Sequence, residues 1–357
     1  MTINMKKTLL LADANSNHTR KWILLLKKQQ HQVALFSFYP PKDAWFEINE
    51  IECHSFYNNN KVSLIKKMSY PLAWFKAKNV LNKFQADLVN AHYATSYGLL
   101  GVLLKPKKLI TNFWGSDVFV FPKKSFVHAK LLRFILSKSD LVCSSSLVMS
   151  KEINLYTNKE IAYVPFGIDL TEYPRKSNPI SISKKKSIVL GIVKTLETVY
   201  RIDVAIEAVR LLNQTFDYQF ELHIAGSGSL ESELKAQATS AVKFHGKIQQ
   251  SDVPAFLHNL DLFLNTSDFE SFGVSTIEAM ACGIPVIAHN AGGSAEIITD
   301  ESSGFLYSPN IPEELAVNIY DIVENGAILN EIADNAHRLV SEKYSITQTL
   351  IQLEKYF

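Results

Sequence analysis

Short apolar runs alternate with longer amphipathic stretches through the first half of the chain: TLLLAD, then HTRKWILLLKKQQ, then HQVALFSF, and later ADLVNAHY, KLITNFWG and DLVCSSS. An apolar strand, a helix and another strand in repetition predict an α/β fold with a doubly wound parallel sheet. The second half repeats the habit with SIVLGIVK, VAIEAVRLLNQ, QFELHIAGSG, LESELKAQAT, VKFHG, DLFLNTS and GIPVIAH. Two Rossmann-like sheets are therefore expected in series, which suits 357 residues, a length generous for a single core. Between them VPFGIDLTEYPRKSNPISISKKKS carries three prolines, several serines and a lysine run, the composition of a linker. The expected layout is a first domain over 1–168, a linker over 169–186 and a second domain over 187–341. A C-terminal helix over 342–357 is expected to pack back on the first domain.

Charge changes this picture. The net charge of +2 hides a basic half and an acidic half: residues 1–180 carry 25 Lys and Arg against 12 Asp and Glu, and residues 181–357 carry 12 against 23. The first half suits an anionic partner such as phospholipid or a phosphorylated acceptor, although solvated surface lysines explain it equally well. KVSLIKKMSYPLAWFKAKNVLNKF and FPKKSFVHAKLLRFILSK interleave lysines with Leu, Phe and Trp, a pattern open to both readings. No stretch approaches the roughly 18 apolar residues of a membrane span, so any membrane contact is expected to be peripheral. Cys53, Cys143 and Cys282 show neither a pairing pattern nor metal-ligand spacing, and the start of the chain holds too short an apolar run for a signal peptide. A cytoplasmic protein is expected, peripheral on the inner face of the membrane if it binds there, with no nucleic-acid partner.

The densest chemistry lies in SDFESFGVSTIEAMACGIPVIA, where Glu270 and Glu278 flank a Phe-Gly pair just before an apolar strand. NLDLFLNTSDFE reads as a buried strand ending in a polar loop, and the following helix is expected to stop at Gly283. Ligands of open α/β sheets sit outside the carboxyl ends of strands, so Glu270 is expected in a loop there and Glu278 in the first helical turns. The amides of Phe272, Gly273 and Val274 would face an anion held at that helix start. The alternative for Glu278 is a capping box with Ser275, three residues earlier.

The run EsfGvStiEAMAcGiPVIA followed by AGGSAEIITDESSGFLY resembles the donor site of the family-4 retaining glycosyltransferases (glycosyl transferases group 1), enzymes of the GT-B fold related to glycogen and sucrose synthases. IVKTLETVYRIDVAIEAVRLL, FELHIAGSGSLESELKAQA, VKFHGKI and VPFGIDLTEY follow in the family's order, and SNHTRKWILLLKKQQHQVALFSF resembles its first loop and helix. The resemblance implies two Rossmann-like domains facing across a cleft. It implies that Glu270 accepts hydrogen bonds from the transferred sugar and Glu278 from the ribose of a nucleoside diphosphate sugar, a UDP-sugar in the first place. Carboxylates suit diols because each offers two acceptor oxygens.

A departing diphosphate needs compensating charge. No Asp-x-Asp occurs in the sequence, so neither a metal nor another cofactor is expected. By resemblance Lys194 and Arg201 supply the positive charge, although Tyr200 and Arg201 stand where lysine and glycine are commoner, and both cations are also readable as surface groups. Gly226 and Gly228 at one turn, and Gly246 with Lys247 at another, border the nucleotide by the same resemblance; tight turns alone explain them equally well. In the first domain Asn15 and His18 fall in a loop that lacks the usual glycine. NFWGSDVF resembles the family's His-Gly-x-Asp segment, with Trp114 replacing the histidine and Asp117 kept. Asp117 is open to a cleft role or to capping, His18 to a cleft role or to capping, and His92 to a cleft or a structural role.

The expected activity is transfer of a sugar, with retention, to a glycan or lipid-linked acceptor in cell-envelope polysaccharide synthesis. The alternatives are a nucleotide-sugar hydrolase or epimerase of the same fold, or a non-catalytic nucleotide-sugar-binding subunit.

Overall fold

The computed structural model describes residues 5–57, 70–177, 182 and 187–357. The chain divides into two compact units, one of residues 1–165 with 350–357, the other of residues 166–349.

The first unit is built on a sheet of β1 (Lys7–Leu11), β2 (Gln32–Ser37), β3 (Glu52–Ser55), β4 (Leu88–His92), β5 (Leu109–Phe113), β6 (Leu141–Ser144) and β7 (Ile161–Tyr163). Its order is β3-β2-β1-β4-β5-β6-β7, every pair parallel, with Thr8 opposite both Val33 and Leu88. The central strands are covered on both faces, so β1, β4 and β5 are buried almost without a break rather than at alternate positions, Asn90, His92 and Asn112 included. The helix Asn17–Lys28 follows β1, buries Trp22, Ile23, Leu25 and Leu26, and ends with Lys27 and Lys28 at the negative pole of its dipole.

The second unit carries β8 (Ser187–Val193), β9 (Gln219–Ala225), β10 (Val242–Gly246), β11 (Leu262–Asn265), β12 (Val286–His289) and β13 (Phe305–Tyr307), again all parallel, in the order β10-β9-β8-β11-β12-β13. Leu190, Leu222 and Leu262 join one core cluster and Phe263, Met280 and Val286 another. Each fully buried side chain of this kind contributes roughly 1.5–3 kcal/mol.

Three edge strands, β3, β7 and β13, are absent from the sequence reading; they are only three or four residues long, β3 (ECHS) is largely polar, and the apolar IAY of β7 and FLY of β13 are too short to stand out as strands. The stretch expected as a linker is packed where it is described: Tyr173 is 1% exposed and joins a core cluster of the second unit. Residues 178–181 and 183–186 of that expectation, and 61–69 of the first lysine-rich stretch, lie outside the described residues. At the C-terminus one helix closes at Lys343 and another runs Ile346–Tyr356, with residues 350–357 grouped in the first unit. There Trp22 meets the Phe357 ring, and Lys6 Nζ donates to the Phe357 carbonyl. Among the described residues no helix is long and apolar enough to cross a membrane.

Candidate functional site

Strand order reverses between β8 and β11 in the second unit, the point at which open α/β sheets take ligands beyond the carboxyl ends of their strands. Here the loops leaving the two strands are bridged, Asp268 N–H donating to the Val199 carbonyl at 2.9 Å. Lys194 is the first residue beyond β8, and Glu270 stands in the loop beyond β11. Their side chains meet as an ion pair, Nζ to Oε2, each about nine-tenths removed from solvent. The Tyr200 ring lies 4.9 Å from Lys194 Nζ, and Ser267 Oγ stands 3.4 Å from Glu270 Oε2. The pair thus brings the expected phosphate-facing cation and sugar-facing carboxylate together.

The helix Val274–Ala281 starts at Gly273, whose φ of 107° turns the chain into it. The capping box is not formed, because Ser275 and Glu278 both lie inside the helix. Ser275 Oγ is buried without a hydrogen-bond partner. Glu278 is held instead by two side chains: Tyr173 Oη donates to its Oε1 at 2.7 Å and Gln250 Nε2 donates to the same oxygen at 2.7 Å. Burial, and then the Glu278 carboxylate, hold the Tyr173 phenol well above its usual range, so it remains a proton donor. Phe272 contributes backbone only; its ring packs against Phe166 and Tyr344. Val274 is half-buried at the helix start.

Two residues that sequence reasoning did not select shape this loop. Gly293 N–H donates to the Glu270 carbonyl at 2.6 Å, and a side chain at Gly292 or Gly293 would overlap the carbonyl of Glu270 or Phe272. The signal was present as consecutive glycines directly after an apolar strand in AHNAGGS.

Arg201 takes a different position from Lys194. It adopts a left-handed backbone before the helix Ile202–Thr215 and forks onto Asp203 at 3.1–3.2 Å, with Asp268 at 3.4 Å. These acids, Asp203 first, raise its already high pKa. Gly226 and Gly228 press against the loop that carries Lys194: a side chain at either would overlap the carbonyl of Lys194 or Leu196. Gly226 N–H donates to the Gly246 carbonyl at 2.7 Å, which ties the two glycine turns together, and Lys247 is exposed.

In the first unit the corresponding reversal lies between β1 and β4. A pocket of about 500 Å³ opens there, walled by Phe38, Tyr39, Tyr57, Tyr93, Tyr97 and Trp114. His18 and His92 meet the Trp114 ring at 5.0 and 4.8 Å. Burial pushes His92 down to about 3; burial and then Lys21 push His18 down to about 4. His92 Nε2 pairs with Asn90 Oδ1 at 2.8 Å, while its Nδ1 is buried without a partner. Tyr93, not singled out by sequence, holds a φ of 73° and bonds Ser116 through its hydroxyl.

Asp117 is the capping group rather than an open acid. It is fully buried and accepts from the amides of Ala94, Trp114 and Gly115 at 3.0, 3.2 and 2.9 Å, and burial pushes it up to about 6. Asn15 is likewise used by the backbone: its side chain donates to the Pro40 carbonyl at 3.1 Å and accepts from Lys42 N–H at 3.0 Å.

Two all-parallel sheets in succession, each with a point where strand order reverses, define the GT-B class of α/β proteins. Residues 175–339 match the family model of glycosyl transferases group 1, and residues 7–146 that of glycosyl transferase 4-like proteins. The chain belongs to this glycosyltransferase family. It is 24% identical to an uncharacterised glycosyltransferase of Methanocaldococcus jannaschii, with 87% of each chain covered. It is 25% identical to the N-acetyl-alpha-D-glucosaminyl L-malate synthase of Bacillus anthracis, with 87% of this chain and 86% of the relative covered. Its fold is that of Anabaena HepE in complex with UDP and glucose, at a TM-score of 0.80, 22% identity and 98% of both chains.

Proposed function

We propose that the protein transfers a hexose-type sugar from a nucleoside diphosphate sugar, a UDP-sugar, to a hydroxyl of a glycan or lipid-linked acceptor of the cell envelope. In this reading it acts with retention at the anomeric carbon and without a metal ion. The observation that carries the reading is the Lys194–Glu270 pair at the strand reversal, beside the helix that starts at Gly273. The UDP and glucose bound by the similar Anabaena protein favour UDP as the nucleotide.

In this mechanism the donor's diphosphate takes Lys194 away from Glu270 and rests against the amides at the start of Val274–Ala281. A fixed cation and oriented amides in a water-poor crevice stabilise the charge that develops as the phosphate leaves. Glu270, released from Lys194, accepts hydrogen bonds from the sugar hydroxyls and orients the anomeric carbon. Glu278, held by Tyr173 and Gln250, accepts from the ribose. The acceptor hydroxyl attacks on the face from which the diphosphate departs, and a leaving phosphate oxygen takes the proton. No protein nucleophile is required; positioning and charge stabilisation supply the rate.

The test is a screen of UDP-, GDP- and ADP-sugars with purified protein, with and without a membrane extract, following diphosphate release and the anomeric configuration of the product. Acceptor-dependent UDP release is expected, lost in Glu270→Ala while the circular dichroism stays unchanged. Release of free sugar at the same rate without acceptor would replace transfer by hydrolysis. Normal turnover by Glu270→Ala would remove that residue from the mechanism.

A further inference from the structure

In the first unit the helices Tyr70–Phe84, Leu99–Leu104 and Phe126–Lys138 lie side by side, the first against the second and the second against the third. Each turns a conventional apolar stripe inward, through Ala77 and Leu81, Leu100 and Leu104, and Leu132 and Leu136. Their outward side is unusual in two respects. Residues 70–84, 99–108 and 118–139 contain eleven Lys and Arg and no Asp or Glu. On the same outward side Leu72, Phe75, Leu103, Phe126, Val127 and Phe134 are 41–70% exposed. A helix face meant only for water would place polar groups at those positions.

Two of these cations are engaged, Lys78 Nζ with the Leu104 carbonyl at 2.9 Å and Lys108 Nζ with the Tyr356 carbonyl at 3.2 Å, while those around the third helix are left available. Among the described residues Lys123 pairs with Glu152 at 2.8 Å, whereas Lys124, Lys130, Arg133 and Lys138 have no acidic partner. Lys130 Nζ instead rests 4.4 Å from the centre of the exposed Phe126 ring.

We infer that this helical face docks on an anionic phospholipid bilayer. Unpaired lysines and Arg133 complement the headgroup charge, and the apolar tips between them enter the boundary between headgroups and acyl chains. Aliphatic Leu72, Leu103 and Val127 are the discriminating feature. They gain from an acyl layer and contribute nothing to a nucleic acid, which would be met by cations and stacking rings. The surface extends the proposed function by holding the enzyme where a lipid-linked acceptor is presented, but it stands on exposure and charge alone.

The experiment is sedimentation of the full chain with vesicles of phosphatidylcholine, alone or mixed with phosphatidylglycerol, in the absence of any sugar donor. Binding to the mixed vesicles is expected, weakened by salt, with little on phosphatidylcholine alone. Phe126→Ser/Val127→Ser/Phe134→Ser and Lys124→Glu/Lys130→Glu/Lys138→Glu should each lower the partition at least about tenfold, with thermal unfolding unchanged because all six side chains are exposed. Equal binding to both vesicle types, no binding to either, or unchanged partition in both variants would overturn the inference. No donor enters the assay, so failure here leaves the transfer reaction standing, and failure of the transfer screen leaves this result standing.

Discussion

A side chain at Gly226 would overlap the carbonyl oxygen of Lys194. The first glycine of AGSG therefore governs where the cation of the site stands, at the carboxyl end of the neighbouring strand. Gly226→Ala is expected to displace Lys194, lowering turnover by roughly tenfold or more, since misplacements of about an ångström carry large rate penalties. Gly246 provides the contrast. It also has a positive φ, 65°, but a side chain there meets nothing within 4 Å. Gly246→Ala should cost roughly 1–2 kcal/mol of backbone strain and leave turnover near normal. Diphosphate release and thermal unfolding of the two variants, measured side by side, check this.

The burial of Lys194 and Glu270 predicts a stability signature independent of activity. Removing one partner of a buried ion pair strands the other charge, at a cost of about 3–5 kcal/mol; replacing both with apolar groups is often neutral. Lys194→Met and Glu270→Leu should each destabilise the second unit. The double variant should recover most of the loss, while turnover stays abolished in all three. Denaturant unfolding decides the matter: simple addition of the two single losses would contradict the pairing.

Tyr173 and Gln250 both donate to Glu278, and in the proposed mechanism they act on the nucleotide through it. Tyr173→Phe removes one hydrogen bond to a carboxylate, on the order of 1.5–3 kcal/mol, and should raise the KM for the donor by roughly tenfold or more with little change in kcat. The Gln250→Ala effect should be non-additive with it, because both groups hold the same oxygen. A 2′-deoxyribose donor should be bound equally by wild type and Tyr173→Phe. Equal losses on both donors would give Tyr173 a purely structural role.

Acid stability of the first unit is set by opposed titrations. His92 falls from its ordinary 6.5 to about 3 and His18 to about 4, so between 6.5 and those values the unfolded chain holds more protons at these sites and acidification favours unfolding. Asp117 rises from 3.8 to about 6, so over that interval the folded chain holds the extra proton and acidification favours folding. His31, whose pKa burial first and then Lys6 and Lys108 also lower, joins the two other histidines against Asp117, and the net effect is a loss of stability on acidification. Asp117→Asn should steepen that loss, and His92→Gln should flatten it, each by about 1.4 kcal/mol per pH unit between about pH 6 and 4.5. Unfolding free energies over that range, each variant compared with its own value at pH 7, test the sign.

Central strands are legible in sequence because burial on both faces demands continuous apolar runs, as in SIVLGIV and DLFLN. The helix after Gly273 and the placing of Glu270 in a loop are legible from the polar residues that end the apolar run and from Gly283 as a helix stop. Contact between Lys194 and Glu270 is not, because it depends on β8 and β11 being neighbours, a consequence of strand order rather than of any local pattern. Nor can spacing tell an inward acid from an outward one. Asp117 sits in a loop motif that reads as a site, and only the three amides converging on it reveal a capping role. Tyr173 is hidden by its surroundings, since prolines, serines and lysines mask a residue that is buried against a glutamate more than a hundred positions away.

Residues 350–357 complete the first unit, with the Phe357 ring against Trp22 and its carbonyl accepting from Lys6. During synthesis the amino-terminal half therefore emerges from the ribosome without its closing piece. Trp22 and Lys6 wait for these partners until the whole intervening unit has been translated, so the half made earliest depends on a segment made after the other unit.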